Sequence, residues 1–148
     1  MGSSSNLQQL YRQVIMDHYK SPRNKGLTQD EAYHEVHLKN PTCGDDITVQ
    51  VHVEDGMVKD VRHEGVGCSI CCSSASVMSQ TLKGKSLAEV QDITANFYEL
   101  VKGNDYDDEL DMGDSPVYQG VSQFPARIKC ATISWKATEQ ALNEIKEK

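Results

Sequence analysis

Hydrophobic positions recur with two different periods along this chain, and the change of period separates helical ends from a stranded middle. Leu7, Leu10, Tyr11, Val14, Ile15 and His18 follow the 3.6-residue repeat of a helix face, behind Asn6, a residue suited to cap it. Ser21-Pro22 ends that helix, because the residue before a proline is pushed out of the helical region. Weak alternation over residues 33–38 predicts a first strand. Ile47, Val49, Val51 and Val53 then alternate cleanly with Thr48, Gln50, His52 and Glu54, the signature of a half-buried strand. Asp55-Gly56 is a hairpin turn, and residues 57–64 form the return strand. The middle of the chain is therefore expected to be a three-stranded antiparallel meander.

Gly65-Val66-Gly67 breaks the third strand, and Cys68 or Ser69 opens a helix that runs to about residue 83, closed by Gly84. Ser86-Leu87-Ala88-Glu89 reads as a capping box. It starts a helix with Leu87, Val90, Thr94, Phe97 and Val101 on one face, ended by Gly103. Residues 105–114 carry six carboxylates and are expected to be a solvated loop. A calcium loop starting at Asp105 fails, since Leu110 stands where the sixth position needs glycine. The last helix begins at Pro125, a good first-turn residue, with a buried stripe of Ile128, Ala131, Trp135, Thr138, Leu142 and Ile145. No repeat and no linker interrupts these elements. The reading is one α+β domain over residues 1–148, its sheet packed against several helices, with residues 1–5 disordered.

Length and charge narrow the function classes. At 148 residues the chain is one domain's worth on the usual scale of roughly 100–200. Lys plus Arg is 15 against 22 Asp plus Glu, a net charge of −7, which argues against nucleic acid as the main partner. The longest uncharged run, residues 65–82, is rich in Ser, Gly and Cys and is no membrane span. With no basic segment leading into an apolar stretch at the N-terminus, a cytoplasmic protein is expected. Five cysteines, an odd number, then point to thiolate chemistry or metal binding rather than a disulfide framework.

Three of the five sit at special places. Cys43 lies in Asn40-Pro41-Thr42-Cys43-Gly44-Asp45, between the first two strands. Cys68 follows a Gly-x-Gly turn at the start of a helix, where exposed N–H groups and the aligned dipole favour a thiolate. Cys130 lies in the second turn of the Pro125 helix. Together with Asp45 they make a four-donor set of the tetrahedral zinc type, although no compact zinc-finger spacing is present and Asp45 equally suits a turn.

Asn40-Pro41-Thr42-Cys43-Gly44-Asp45, Gly67-Cys68-Ser69-Ile70 and Phe124-Pro125-Ala126-Arg127-Ile128-Lys129-Cys130 resemble the three cysteine motifs of the IscU/SufU (NifU N-terminal-like) family of iron–sulfur assembly proteins. The stretch from Leu10-Tyr11-Arg12 to Ser21-Pro22-Arg23-Asn24 and the run Cys130-Ala131-Thr132-Ile133-Ser134-Trp135-Lys136 are similar to that family as well. Two details favour the SufU-type branch. Lys129 stands where scaffold-type members carry His before the third cysteine, and the acidic stretch over 105–120 resembles a SufU-type insertion. The resemblance implies zinc held by Cys43, Asp45, Cys68 and Cys130. It also implies a partner, a pyridoxal-phosphate (SufS-type) cysteine desulfurase that delivers persulfide sulfur.

The corresponding expectation is a zinc-dependent sulfurtransferase in which a docked desulfurase supplies a substitute ligand and frees Cys43. The Cys43 thiolate, on a loop rather than a helix, would then attack the enzyme's persulfide. Arg127 is placed to pair with Asp45 or the freed thiolate, or to be a solvated helix residue; Arg12, Lys20, Arg23 and Lys25 could help dock the partner. The alternative is a scaffold on which a [2Fe-2S] or [4Fe-4S] cluster is built on the same thiolates. Cys71 and Cys72 depart from the small residues expected after Cys68, as packing residues, auxiliary thiols or alternative ligands.

Overall fold

The computed structural model describes residues 2–41 and 44–146. Helix α1 spans Gly2–Lys20, strands β1, β2 and β3 span His34–Asn40, Asp45–Glu54 and Met57–Val66, and helices α2 and α3 span Ser69–Leu82 and Leu87–Val101. A 3-10 segment, Ser115–Gln123, then leads into α4, Pro125–Lys146. The three strands form an antiparallel meander in the order β1-β2-β3, which is the α+β architecture expected from the change of period. Among the described residues no helix is long and apolar enough to cross a membrane.

Local chemistry sets the boundaries. Asp55 and Gly56 both adopt positive φ, 55° and 73°, the conformation of a tight two-residue hairpin whose twist matches the strands it joins. The Ser86 hydroxyl accepts from Glu89 N and the Glu89 carboxylate accepts from Ser86 N, each at 3.1 Å, so the capping box forms. At the other end of the chain α1 starts at Gly2 rather than behind an Asn6 cap, and residues 2–5, expected to be disordered, belong to its first turn.

The core lies between the sheet and α2, α3 and α4. Val36, Ile47, Val49, Val51, Val58 and Val61 are buried on the sheet. Phe97 of α3 stacks on Trp135 of α4, with ring centroids 4.0 Å apart, and meets Tyr118 edge-on at 6.1 Å. The buried surface of α4 is wider than the predicted stripe, because Cys130, Ile133, Ser134, Ala137 and Ala141 are buried beside Ala131, Trp135, Thr138 and Leu142. This helix is wedged between β1–β2 on one side and α2 on the other, so one amphipathic face does not describe it.

Two expectations of exposure are corrected. Gln50 is buried although it alternates with the apolar residues of β2. The chain around Thr28 covers it: Gln50 Oε1 accepts from Thr28 N, and Gln50 Nε2 donates to Thr28 O, both at 2.8 Å. The acidic stretch is exposed only in part. Met112 is buried, and the 3-10 segment that follows buries Val117, Tyr118 and Val121.

Candidate metal centre

Three chain segments converge at the N-terminal end of α2. Asn40 pairs with Asp45 across the β1–β2 ladder, and Gly44 N donates to Asn40 O at 2.8 Å. Gly44 takes φ +75°, a conformation glycine adopts without strain. Asp45, the first residue of β2, is 2% exposed. The β2–β3 register sets Asp46 opposite Val66 and Ile47 opposite Gly65, so the end of β3 runs beside Asp45 as it turns into α2.

Close approach explains both glycines of that turn. A Cβ on Gly65 would lie 2.0 Å from the Asp46 carbonyl oxygen, and one on Gly67 would lie 2.5 Å from Asp45 Oδ1. Cys68 is the N-cap of α2 and its side chain makes no capping hydrogen bond. Its backbone N–H instead donates to Asp45 Oδ1 at 3.3 Å, tying the carboxylate to the helix start.

Cys130 arrives from the far end of the chain. Ser74 on α2 donates its hydroxyl to Ala131 O at 2.6 Å and accepts from Trp135 Nε1 at 3.1 Å, which locks α4 against α2. Cys130 is fully buried, with Sγ 3.9 Å from Ala126 O. Ligand atoms of Asp45, Cys68 and Cys130 consequently lie within 4.8 Å of one another. Zinc bonds of roughly 2.0–2.3 Å at a tetrahedral angle would put donor atoms about 3.5–3.8 Å apart, within small side-chain rotations of this arrangement. One carboxylate and two thiols form a borderline-soft donor set that suits zinc, and thiolates equally suit iron–sulfur chemistry. Cys43, named above as the nucleophile and a ligand, lies outside the described residues.

Cys71 and Cys72 occupy the next turn of α2. Cys71 is fully buried, and the Cβ position of Gly67 is 3.2 Å from its Sγ, so its sulfur faces the Asp45 side. Cys72 is half-buried and its thiol donates to Gly67 O at 3.7 Å. The neighbouring Cys72 thiol and burial push the Cys71 thiol far up, whereas Cys71 and Lys25 bring Cys72 down to about 7.

Arg127 lines a groove of about 630 Å³ with Arg12, Ile15, Ile70, Val121 and the exposed Phe124, beside Cys68. Arg23, a proposed docking base, pairs with Asp17 at 2.7 Å.

A second polar cluster went unread in the sequence. His18, which fell on the apolar stripe of α1, is fully buried, with Nδ1 2.7 Å from Ser76 Oγ and Nε2 2.8 Å from Asp114 Oδ2. Ser76 Oγ also accepts from Arg23 N at 2.8 Å. No local signal could have found it, because its three side chains come from α1, α2 and the end of the acidic stretch.

The profile of the NifU-like N-terminal domain matches residues 10–131. The chain is 49% identical over 142 residues to the zinc-dependent sulfurtransferase SufU of Bacillus subtilis, covering 96% of this chain and 95% of that protein. It is 36% identical over 138 residues to the iron–sulfur cluster assembly scaffold protein IscU of Streptococcus pyogenes, covering 93% and 86%. A crystal structure described as a hypothetical protein superposes with a TM-score of 0.83 at 36% identity, covering 91% of this chain and 98% of its own.

Proposed function

Since the chain belongs to the NifU-like N-terminal domain family, we propose that it is a zinc-dependent sulfurtransferase of iron–sulfur cluster biogenesis, which accepts persulfide sulfur from a pyridoxal-phosphate cysteine desulfurase in the cytoplasm. The observation that carries this reading is the gathering of Asp45, Cys68 and Cys130 donor atoms within 4.8 Å at the mouth of α2. Identity of 49% to a protein named as a zinc-dependent sulfurtransferase supports it. Cys43, Asp45, Cys68 and Cys130 would hold the ion. Bound zinc would keep its thiolates deprotonated and redox-quiet.

The remaining chemistry belongs to the chain. Cys43 is the acceptor in this reading, because Cys68 caps a helix and Cys130 is buried inside one, whereas Cys43 falls between two strands. Its thiolate attacks the outer sulfur of the donor's persulfide. The donor's S–S bond breaks, its cysteine leaves as a thiolate, and the sulfur stays on Cys43 with no net oxidation. Asp45, held by the Cys68 N–H, keeps the start of β2 next to the two anchored sulfurs. Sulfide release by a SufS-type desulfurase with L-cysteine and reductant is expected to rise when this protein is added. Cys43→Ala should abolish both that stimulation and persulfidation at this position, and persistence of either overturns the assignment.

A cluster scaffold is the second reading. It draws on the 36% identity to a protein named as a scaffold and on Cys71, whose buried sulfur adds a thiol on the Asp45 side of α2. Metal analysis of unreconstituted protein separates the two. Tightly held colourless zinc supports transfer, and brown iron with sulfide supports the scaffold.

A further inference from the structure

Behind the metal centre a second sulfur faces a different space. Cavity walls of Tyr19, Pro22, Lys25, His63, Val66 and Cys72 enclose about 400 Å³ between the segment after α1 and the end of the β2–β3 hairpin. The backbone holds this enclosure in place: Gly26 N donates to His63 O at 2.8 Å and His63 N to Asn24 O at 3.3 Å, so Lys25 is bridged alongside the edge of β3. His63 Nε2 donates to Arg23 O at 2.8 Å, fixing the wall opposite. Among the described residues Lys25 Nζ pairs loosely with the Glu64 carboxylate, at 3.7 Å, and both side chains are about half exposed.

Adjacent positions on α2 give the two extra thiols different outlooks. The sulfur of Cys71 is buried on the Asp45 side, while the half-buried Cys72, whose thiol reaches Gly67 O, lines the cavity. A polarizable thiol, one cation and weakly polar walls of Tyr, Pro and Val match a small anionic sulfur species better than a hard, strongly hydrated ion.

We propose that Cys72 is a second sulfur-accepting residue, which takes sulfane sulfur from a small hydropersulfide or polysulfide entering this cavity, with Lys25 as the countercharge. After its proton passes to solvent, the Cys72 thiolate attacks the terminal sulfur of R–S–SH. The donor's S–S bond breaks, R–S⁻ leaves, and the new S–S bond leaves the transferred sulfur and its proton on Cys72. The exchange needs neither oxidant nor reductant. Its biological meaning rests on the sulfur-transfer reading, but its chemistry does not require Cys43.

The test exposes the full-length protein, with its metal as purified, to a limiting amount of sodium tetrasulfide, then alkylates it and maps peptides by mass. An extra sulfur atom is expected on Cys72 at several-fold higher occupancy than on Cys71 or Cys130. Lys25→Ala should lower that occupancy several-fold and Lys25→Arg should restore it. Cys72→Ser and Cys72→Ala, each checked for a native near-UV spectrum, should lose the label yet keep acceptance at Cys43 from desulfurase and L-cysteine. Labelling of Cys72 no higher than that of Cys71, unchanged labelling in Lys25→Ala, or a Cys68–Cys72 disulfide as main product overturns the proposal. Failure of the sulfur-transfer reading shows separately, as a Cys43 that takes nothing from the desulfurase while Cys72 is still labelled by tetrasulfide.

Discussion

Two polar clusters hang on α2, and they differ in how their charges are closed. In the middle of the helix His18 is held between Ser76 and Asp114, while Ser76 also accepts from Arg23 N. One ring nitrogen meets the Ser76 hydroxyl and the other the Asp114 carboxylate, so hydrogen bonding satisfies this set from within. The carbonyl of Arg23 extends it, accepting from His63 Nε2 and from Ser79 Oγ. At the start of the helix Asp45, Cys68 and Cys130 gather one carboxylate and two sulfurs within 4.8 Å. Once the thiols ionise, those groups all carry one sign, and only a cation can close them. Both clusters join three distant segments, so convergence alone does not mark a site. The sign and balance of the donors does.

The contrast can be broken most severely at the metal centre. Cys68→Ala or Cys130→Ala should remove most of the bound metal, by elemental analysis after gel filtration, and with it most of the stimulation of desulfurase turnover. Retention of a full metal complement in either variant would show that these residues are not the ligands.

Gly67→Ala tests the same cluster without replacing a ligand. Its Cβ would fall 2.5 Å from Asp45 Oδ1 and 3.2 Å from Cys71 Sγ, so the carboxylate must move. Metal affinity is expected to drop on the order of 10–100-fold, the range typical of disturbing groups that orient ligands. A chelator competition assay measures this.

The closed cluster should behave in the opposite way. His18→Ala leaves the buried Ser76 hydroxyl and the Asp114 carboxylate short of a partner, at a cost of about 1–3 kcal/mol in urea unfolding. The metal content should stay unchanged, and a loss of metal would merge the two clusters into one.

The smallest effect is one of pH. Burial holds the His63 imidazole below its ordinary value near 6.5, against the opposing pull of the Arg23 carbonyl. As pH falls through 6.5 the unfolded chain takes this proton before the folded one does. Stability from this group is therefore present above 6.5 and is lost below it, with a slope of at most about 1.4 kcal/mol per pH unit. Urea unfolding at pH 7.5 and 5.5 should show a smaller loss in His63→Gln than in the wild type, and an equal loss would remove His63 as the source.

Much of this was legible residue by residue. Alternation from Ile47 to Val53 and the Asp55-Gly56 turn specified the hairpin, and Ser86 with Glu89 specified the start of α3, because these signals act over a few residues. The cysteine motifs likewise carried the family, which the match over residues 10–131 establishes. Other features had no local signature. Gln50 reads as a wet position until the Thr28 segment covers it, and Tyr118 is buried within a stretch that begins as a run of acids.

Side-chain period, turn chemistry and the identity of the chemically capable residues are properties of neighbouring positions, and the amino-acid order alone determined them here. Which of those residues meet depended on packing. The β2–β3 register and the Ser74–Ala131 lock bring Asp45, Cys68 and Cys130 together, and the same helix directs Cys71 inward and Cys72 toward a cavity. Contacts between residues far apart in the chain form only when separate elements bury their apolar faces against each other, so the tertiary structure alone decided them.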